Sequence, residues 1–351
     1  MTASLIAFAV ALVASLVLAV PVRALALRVG MVDLPGPRKV HVQPIPLLGG
    51  VAIYGGVVLG VFSLFTGEAR AQISGILAGA TLIAAVGILD DRGLLHHQVK
   101  LFIGMPLAAA ILLLSGIHAQ VFSVLVGGRL GNVLDAALSV IWVVGITASF
   151  SILDHMDGLC AGVAAMASIF FVVLAYLNGQ TLVSVLAAAV LGAAAGFLRW
   201  NFKPAKLFMG DGGAMFLGFL MATLGLKLRL EQANHFSQWI VPVLVLGATI
   251  FDTTLVTISR SRRGLIPFAA PGKDHSAHRL ANLKLGQRCA VLLMYLLGAI
   301  SGSLAILASY LSTKQAIVCA ALAVFAALAG VMLLERAPYE RQDKKAATIV
   351  A

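Results

Sequence analysis

Asp154, His155 and Asp157 fall within four positions of the stretch SFSILDHMDGLCAG at 149–162, between two long apolar runs. No Lys or Arg occurs between Leu130 and Arg199 to balance them. An acid within a membrane or at its edge is costly unless it is paired, hydrated or bound to a metal, so its presence there points to function. Two further acidic segments share this character. In ILDDRGLL, Asp90 and Asp91 are adjacent, and neighbouring carboxylates repel unless they share a cation. Capping a helix explains one of the two acids and leaves the other. In GDGG, Asp211 sits where a helix begins, a place that suits an N-cap aspartate or, through unpaired N–H groups and the helix dipole, an ordered phosphate.

Basic residues gather in comparable segments. DLPGPRKVHVQPIPLLGG at 33–50 places four prolines around Arg38, Lys39 and His41. Such a frame reads as a solvated loop against anionic headgroups or as a rigid phosphate grip, with Gly49 and Gly50 letting backbone approach a ligand. Lys203 and Lys206 flank Pro204 just before Asp211, which again suits phosphate. At 259–280, SRSRRGLIPFAAPGKDHSAHRL combines Arg260, Arg262, Arg263, Lys273 and Arg279 with His275 and His278. Two histidines three apart can bind a metal, but among these cations they suit a diphosphate better.

A bundle of membrane helices must position these groups. Hydrophobic residues make up 60% of the chain and charged residues 11%, against about 25% charged in a soluble domain. Hydropathy windows place about eleven spans, centred near residues 13, 57, 81, 108, 142, 169, 189, 221, 248, 299 and 325. The first, near Leu5 to Val22, lacks a basic leader and is long enough to cross a bilayer, so it reads as a retained helix rather than a signal peptide. The fold class is therefore all-α and polytopic, one integral-membrane domain over 1–351 with a short cytoplasmic tail over 336–351. Cys160, Cys289 and Cys319 form neither a CxxC pair nor a disulfide framework.

An odd number of spans puts the termini on opposite faces. Loops after spans 1, 3, 5, 7, 9 and 11, with the tail, then hold 20 of the 25 Lys and Arg residues, which places that face in the cytoplasm and the N-terminus outside. Of the 14 carboxylates only Glu68, Asp135 and Glu231 fall on the other face. Independent helices have no reason to stack their few acids at one depth, whereas a shared cytoplasm-facing site does. Asp252, in IFDTTL, is the acid that lies well inside a span.

Five segments in order, DLPGPRKVHVQPIPLLGG, LDDRGLL, LDHMDGLCAG, RWNFKPAKLFMGDGGAMFLG and PGKDHSAHRL, resemble the polyprenyl-phosphate N-acetylhexosamine-1-phosphate transferases of bacterial membranes. With the helix count they cover nearly the whole chain. The resemblance implies catalytic roles for Asp90 and Asp91 and a magnesium site at Asp211, with manganese as an alternative ion. It puts Asp154 and Asp157 at the nucleotide-sugar site. Lys39, His41, Asn201, Lys206, Arg263, His275 and His278 match substrate-binding positions, Ala277 standing where the family's histidine motif has its middle histidine. It also implies undecaprenyl phosphate and a UDP-N-acetylhexosamine as substrates, surrounding membrane lipids, a bacterial inner-membrane location, no nucleic acid, and a homodimer as an open assembly state.

This chain departs from the family pattern where two asparagines usually precede the acidic loop. Ala148 and Ser151 hold those positions, and a serine hydroxyl is a poorer metal ligand than an amide carbonyl. The implied reaction makes modest demands on a base, because a phosphate monoester with a second pKa of about 6 is already a nucleophile at neutral pH. Charge neutralisation and in-line positioning are what it needs. An aspartyl-enzyme route in two steps stays open beside direct attack. Three other readings compete: a catalytically impaired relative acting as a scaffold, suggested by Ala148 and Ser151; the peptidoglycan-precursor branch, whose triple histidine is missing; and a transporter, for which internal repeats are wanting.

Overall fold

The computed structural model describes residues 1–35, 43–62, 70–266 and 272–339; Lys39 and His41 lie outside the described residues. The chain forms two compact units, Met1–Glu231 and Gln232–Ala351. In the first, α1 (Thr2–Arg28) is followed by the short antiparallel pair β1 (Val32–Asp33) and β2 (Ile45–Pro46), then α2 (Gly49–Gly60) and α3 (Arg70–Asp91). Next come α4 (His97–Val99), a π-helical turn (Lys100–Gly104), α5 (Met105–Leu114), α6 (Phe122–Leu125) and α7 (Gly128–Leu153). Three more helices, α8 (Leu159–Leu177), α9 (Thr181–Asn201) and α10 (Gly210–Lys227), complete the unit. The second unit contains α11 (His235–Val245), α12 (Gly247–Arg262), α13 (Ser276–Leu280), a second π turn (Ala281–Leu285), α14 (Gly286–Tyr310) and α15 (Thr313–Glu335).

Among the described residues, seven helices are long and apolar enough to cross a membrane, or eight if α11 and α12, bent by 73°, make one broken span. The protein is thus a mostly helical, polytopic membrane protein. Expected spans near residues 57, 108 and 221 coincide with α2, with the π turn and α5, and with α10, each of them a helix that falls short of those seven by length or apolarity. Outward faces carry large apolar side chains, such as Leu5, Ile6 and Val13 of α1 and Leu322, Phe325 and Met332 of α15. A lipid solvent tolerates such faces, because a helix satisfies its own backbone hydrogen bonds.

Helix α10 is the buried centre of the first unit. Nearly all its residues from Gly212 to Leu226 are enclosed, and it packs against α2, α3, α7 and α8. Glycines make two of these approaches possible: a Cβ on Gly87 of α3 would lie 2.5 Å from Gly212 Cα, and one on Gly213 of α10 would lie 2.7 Å from Gly50 Cα. The start of α10 is also tied to the start of α2, since Gly49 N–H donates to Phe208 O at 2.8 Å and Gly50 N–H to Met209 O at 3.0 Å. The beginnings of α2 and α10 and the end of α3 therefore meet at one level. Asp135 lies elsewhere, about 24 Å along α7 from Ser151 at 1.5 Å per residue. There it accepts the N–H groups of Val121, Phe122 and Ser123 and fixes α6.

Candidate active site

The end of α3 and the start of α10 bring three acids together. Asp91 accepts the Asp211 N–H at 2.9 Å and the Gly212 N–H at 3.1 Å, so a carboxylate from α3 satisfies donors that the first turn of α10 cannot pair within itself. Gly210 is required at this junction: its φ is +70°, and a Cβ would run into the Asp91 carboxylate. Asp211 itself faces other partners. Ser151 of α7 donates its hydroxyl to Asp211 Oδ1 at 2.8 Å, and the Lys100 ammonium pairs with Asp211 Oδ2. Lys100 also pairs with Asp90 Oδ2 at 2.7 Å. It is the first residue of the π turn, a local widening of the helix that often accompanies functional sites.

A second layer holds the acidic loop between α7 and α8. Asp157 accepts the Ala205 N–H at 3.1 Å. Asn201 is buried, takes the Gly158 N–H on its Oδ1 at 3.0 Å and donates from Nδ2 to Leu207 O at 3.1 Å. Its amide thereby fastens this loop to the segment leading into α10. Lys206 is exposed, and its carbonyl accepts from Arg23 Nε at 3.3 Å. Asp154 keeps some solvent exposure but is surrounded by protein; burial pushes its carboxyl well above the usual range, and the charges of Asp211, Asp91 and Asp157 push the same way.

This charge balance fits a divalent cation. Asp90 and Asp211 already converge on one positive atom, the Lys100 ammonium, which marks where a cation can be shared. One ammonium does not offset Asp90, Asp91, Asp154 and Asp211 together. The donors are carboxylate and hydroxyl oxygens, a hard set that suits magnesium better than a thiolate-seeking metal.

In the second unit Arg260 and Arg263 are organised around the buried Asp274. Asp274 is held by Arg260 through two contacts of 2.9 and 2.7 Å and by Arg263 at 2.6 Å, and these arginines hold its carboxyl well below the usual range against the opposing effect of burial. Arg279, fully buried, donates to Asp274 O and Ser259 Oγ, pairs with Glu335 at 2.6 Å and stacks on Tyr339, 4.0 Å from the ring centroid. His275 pairs with Asp252, and the rings of His275 and His278 lie edge to face with centroids 6.5 Å apart.

Comparison with known proteins settles the family. The sequence profile described as "Glycosyl transferase family 4" matches residues 73–229, which include every acid of the first unit's cluster. A Bacillus subtilis protein, "Probable undecaprenyl-phosphate N-acetylglucosaminyl 1-phosphate transferase", is 38% identical over 300 residues, covering 84% of this chain and 82% of the relative. The chain belongs to glycosyl transferase family 4, the polyprenyl-phosphate N-acetylhexosamine-1-phosphate transferases. Two other members are the "Decaprenyl-phosphate N-acetylglucosaminephosphotransferase" of Mycolicibacterium smegmatis, 33% identical over 78% of this chain and 74% of the relative, and the "Undecaprenyl-phosphate alpha-N-acetylglucosaminyl 1-phosphate transferase" of Escherichia coli, 26% identical over 82% and 79%.

Of the family positions read from the sequence, Asp90, Asp91, Ser151 and Asp211 come together, with Asp154 and Asp157 in the adjoining loop. Arg263, His275 and His278 belong to the second unit and share a network there. Lys100, which the sequence offered only as one loop cation among many, is the residue the geometry adds to the family cluster. A signal existed: Lys100 opens the apolar run LFIGMPLAAAILLL, where an unpaired ammonium would be costly.

Proposed function

We propose that this family member transfers a HexNAc-1-phosphate, GlcNAc-1-phosphate in the first instance, from a UDP-sugar to undecaprenyl phosphate and releases UMP, starting a lipid-linked cell-envelope glycan. The observation that carries the reading is the convergence of Asp90, Asp91 and Asp211 with Lys100 and Ser151 at the meeting of three helix ends. The names of its relatives support the acceptor and the sugar. In the reaction an acceptor phosphate oxygen bonds to the β-phosphorus while the bond from that phosphorus to the bridging oxygen breaks and UMP leaves with the electron pair. Asp211, with Asp90 and Ser151, would hold a magnesium ion, which when bound neutralises charge on the diphosphate. Asp91 keeps Asp211 at the start of α10, and Lys100 offers a positive charge to the phosphates. Asp154 and Asp157 serve the nucleotide-sugar; Lys39, His41, Lys206, Arg263, His275 and His278 serve the phosphates, and Asn201 keeps the acidic loop in place. An assay with purified protein, undecaprenyl phosphate and a panel of radiolabelled UDP-sugars, with and without magnesium, tests this. Magnesium-dependent labelling of the lipid by UDP-GlcNAc is expected, and no labelling by any UDP-sugar overturns the proposal.

Eleven spans and a cytoplasmic site in the bacterial inner membrane follow if α2, the π turn with α5, α10 and the bent α11–α12 pair each cross. Tags after Ala351 and near Gly272 should then report cytoplasmic, and a tag at Met1 external. Both termini on one side would remove the eleven-span topology.

Ser151 gives a graded test of the metal assignment. Its hydroxyl already bonds to Asp211, and an asparagine there would present a better hard-cation donor. Ser151→Asn should lower the magnesium concentration for half-maximal transfer. An unchanged or raised requirement would mean that this position does not touch the ion.

A further inference from the structure

We infer that Asp252 is a positioning residue for His275, fixing the imidazole so that it meets a substrate phosphate through Nε2. This rests on the reading of His275 as a phosphate-binding residue. Asp252 is an acid that the proposed reaction leaves unused, in the middle of the apolar segment IFDTTL of α12. It is fully buried, as is nearly all of His275. Burying a carboxylate in a membrane helix demands a return in structure or function. Arg260, further along α12, and Arg263, just past its end, are engaged by Asp274.

Each oxygen of the Asp252 carboxylate has its own task. Oδ1 accepts the Ser276 N–H at 2.8 Å and the Ser276 hydroxyl at 2.5 Å, which anchors the first residue of α13. Oδ2 lies 2.9 Å from His275 Nδ1. Anchoring α13 needs only the first oxygen. The second fixes the plane of the neighbouring ring and places the proton on Nδ1, as second-layer carboxylates do for histidines that serve through their other nitrogen. Backbone and side chain at two successive positions are thus held by one carboxylate, which restrains rotation of the ring. Interactions of the imidazole with an anion then run through Nε2, which donates to a phosphate oxygen when the ring carries both protons.

A positioning role separates from a purely structural one in kinetics on the full-length protein in nanodiscs. Asp252→Asn should raise KM for the UDP-sugar about ten-fold with kcat changed by less than about two-fold, because a binding contact shared by ground and transition states is weakened. His275→Gln should do the same, and the double variant should be no worse than either single variant, the signature of two residues acting through one interaction. Ser276→Ala, which loses only the anchoring hydroxyl, should leave KM unchanged. Additive losses in the double variant, or a Ser276→Ala effect equal to that of Asp252→Asn, overturn the inference. A second readout is independent of turnover. In 15N spectra of histidine-labelled protein, with His275 assigned by subtraction of the His275→Gln sample, Nδ1 should be protonated and Nε2 should shift on adding inorganic pyrophosphate. Asp252→Asn should weaken both features. A wild-type ring unprotonated at Nδ1, or one that ignores pyrophosphate, overturns the inference whatever the transfer rate. Lack of transfer by a wild-type protein whose ring still responds to pyrophosphate overturns the proposed reaction alone.

Discussion

Asp211→Asn is expected to reduce lipid-linked product formation by about a thousand-fold, the scale seen when a preorganised electrostatic contact to the reacting centre is removed. The substitution changes one atom and almost no volume. Asparagine can still accept the Ser151 hydroxyl, and the backbone N–H that Asp91 holds is untouched. What disappears is the negative charge that Lys100 shares between Asp90 and Asp211, and with it the charge proposed to bind magnesium. Because Lys100 retains Asp90, and neutralising Asp211 also removes a like charge from beside Asp90, Asp91 and Asp154, the loss of that ion pair should cost little stability. The thermal midpoint should therefore stay within a few degrees of wild type while transfer collapses and extra magnesium fails to restore it. Near-normal, magnesium-dependent transfer by the variant would remove Asp211 from the metal site.

Charge in an apolar sequence is conspicuous, which is why the acidic cluster could be read before any fold was known. Asp90 and Asp91 end an apolar run, Asp211 begins one, and each stands out as a cost that needs a reason. Partners are harder to read, because they are set by packing between distant segments. Lys100 meets Asp211 across 111 positions, and Ser151 meets it across 60. Hydropathy windows found the places of α2 and α5 but not their shortness, since a 12-residue helix and a 10-residue helix are as apolar as a full span. The second unit shows the same limit. Arg263, read as a substrate contact, pairs with Asp274, and Asp252, which looked stray inside its span, has a partner 23 residues away in His275.

Gly87→Ala should reduce transfer by about a hundred-fold, although Gly87 carries no side chain and touches no proposed substrate. A Cβ at this position in α3 would lie 2.5 Å from both Cα and N of Gly212 and 2.6 Å from the Asp211 carbonyl carbon. All three are backbone atoms of α10, so no rotamer change can make room, and the helices must separate at the level of the site. Overpacking of this kind costs about 1–3 kcal/mol. Displacement is the larger consequence for chemistry. Asp91 sits four residues along α3 and caps α10 through hydrogen bonds of 2.9 and 3.1 Å, so moving α3 outward stretches both and shifts Asp90 away from the cation it shares with Asp211. A misplacement of about 1 Å can cost about a hundred-fold in rate. Gly145→Ala supplies the control: a Cβ there meets nothing within 4 Å among the described residues, and both stability and transfer should be close to wild type. The comparison is made by thermal midpoint and transfer rate on both variants in the same lipid. If Gly87→Ala is as active and as stable as Gly145→Ala, then close contact of α3 with α10 is not what holds the three acids together.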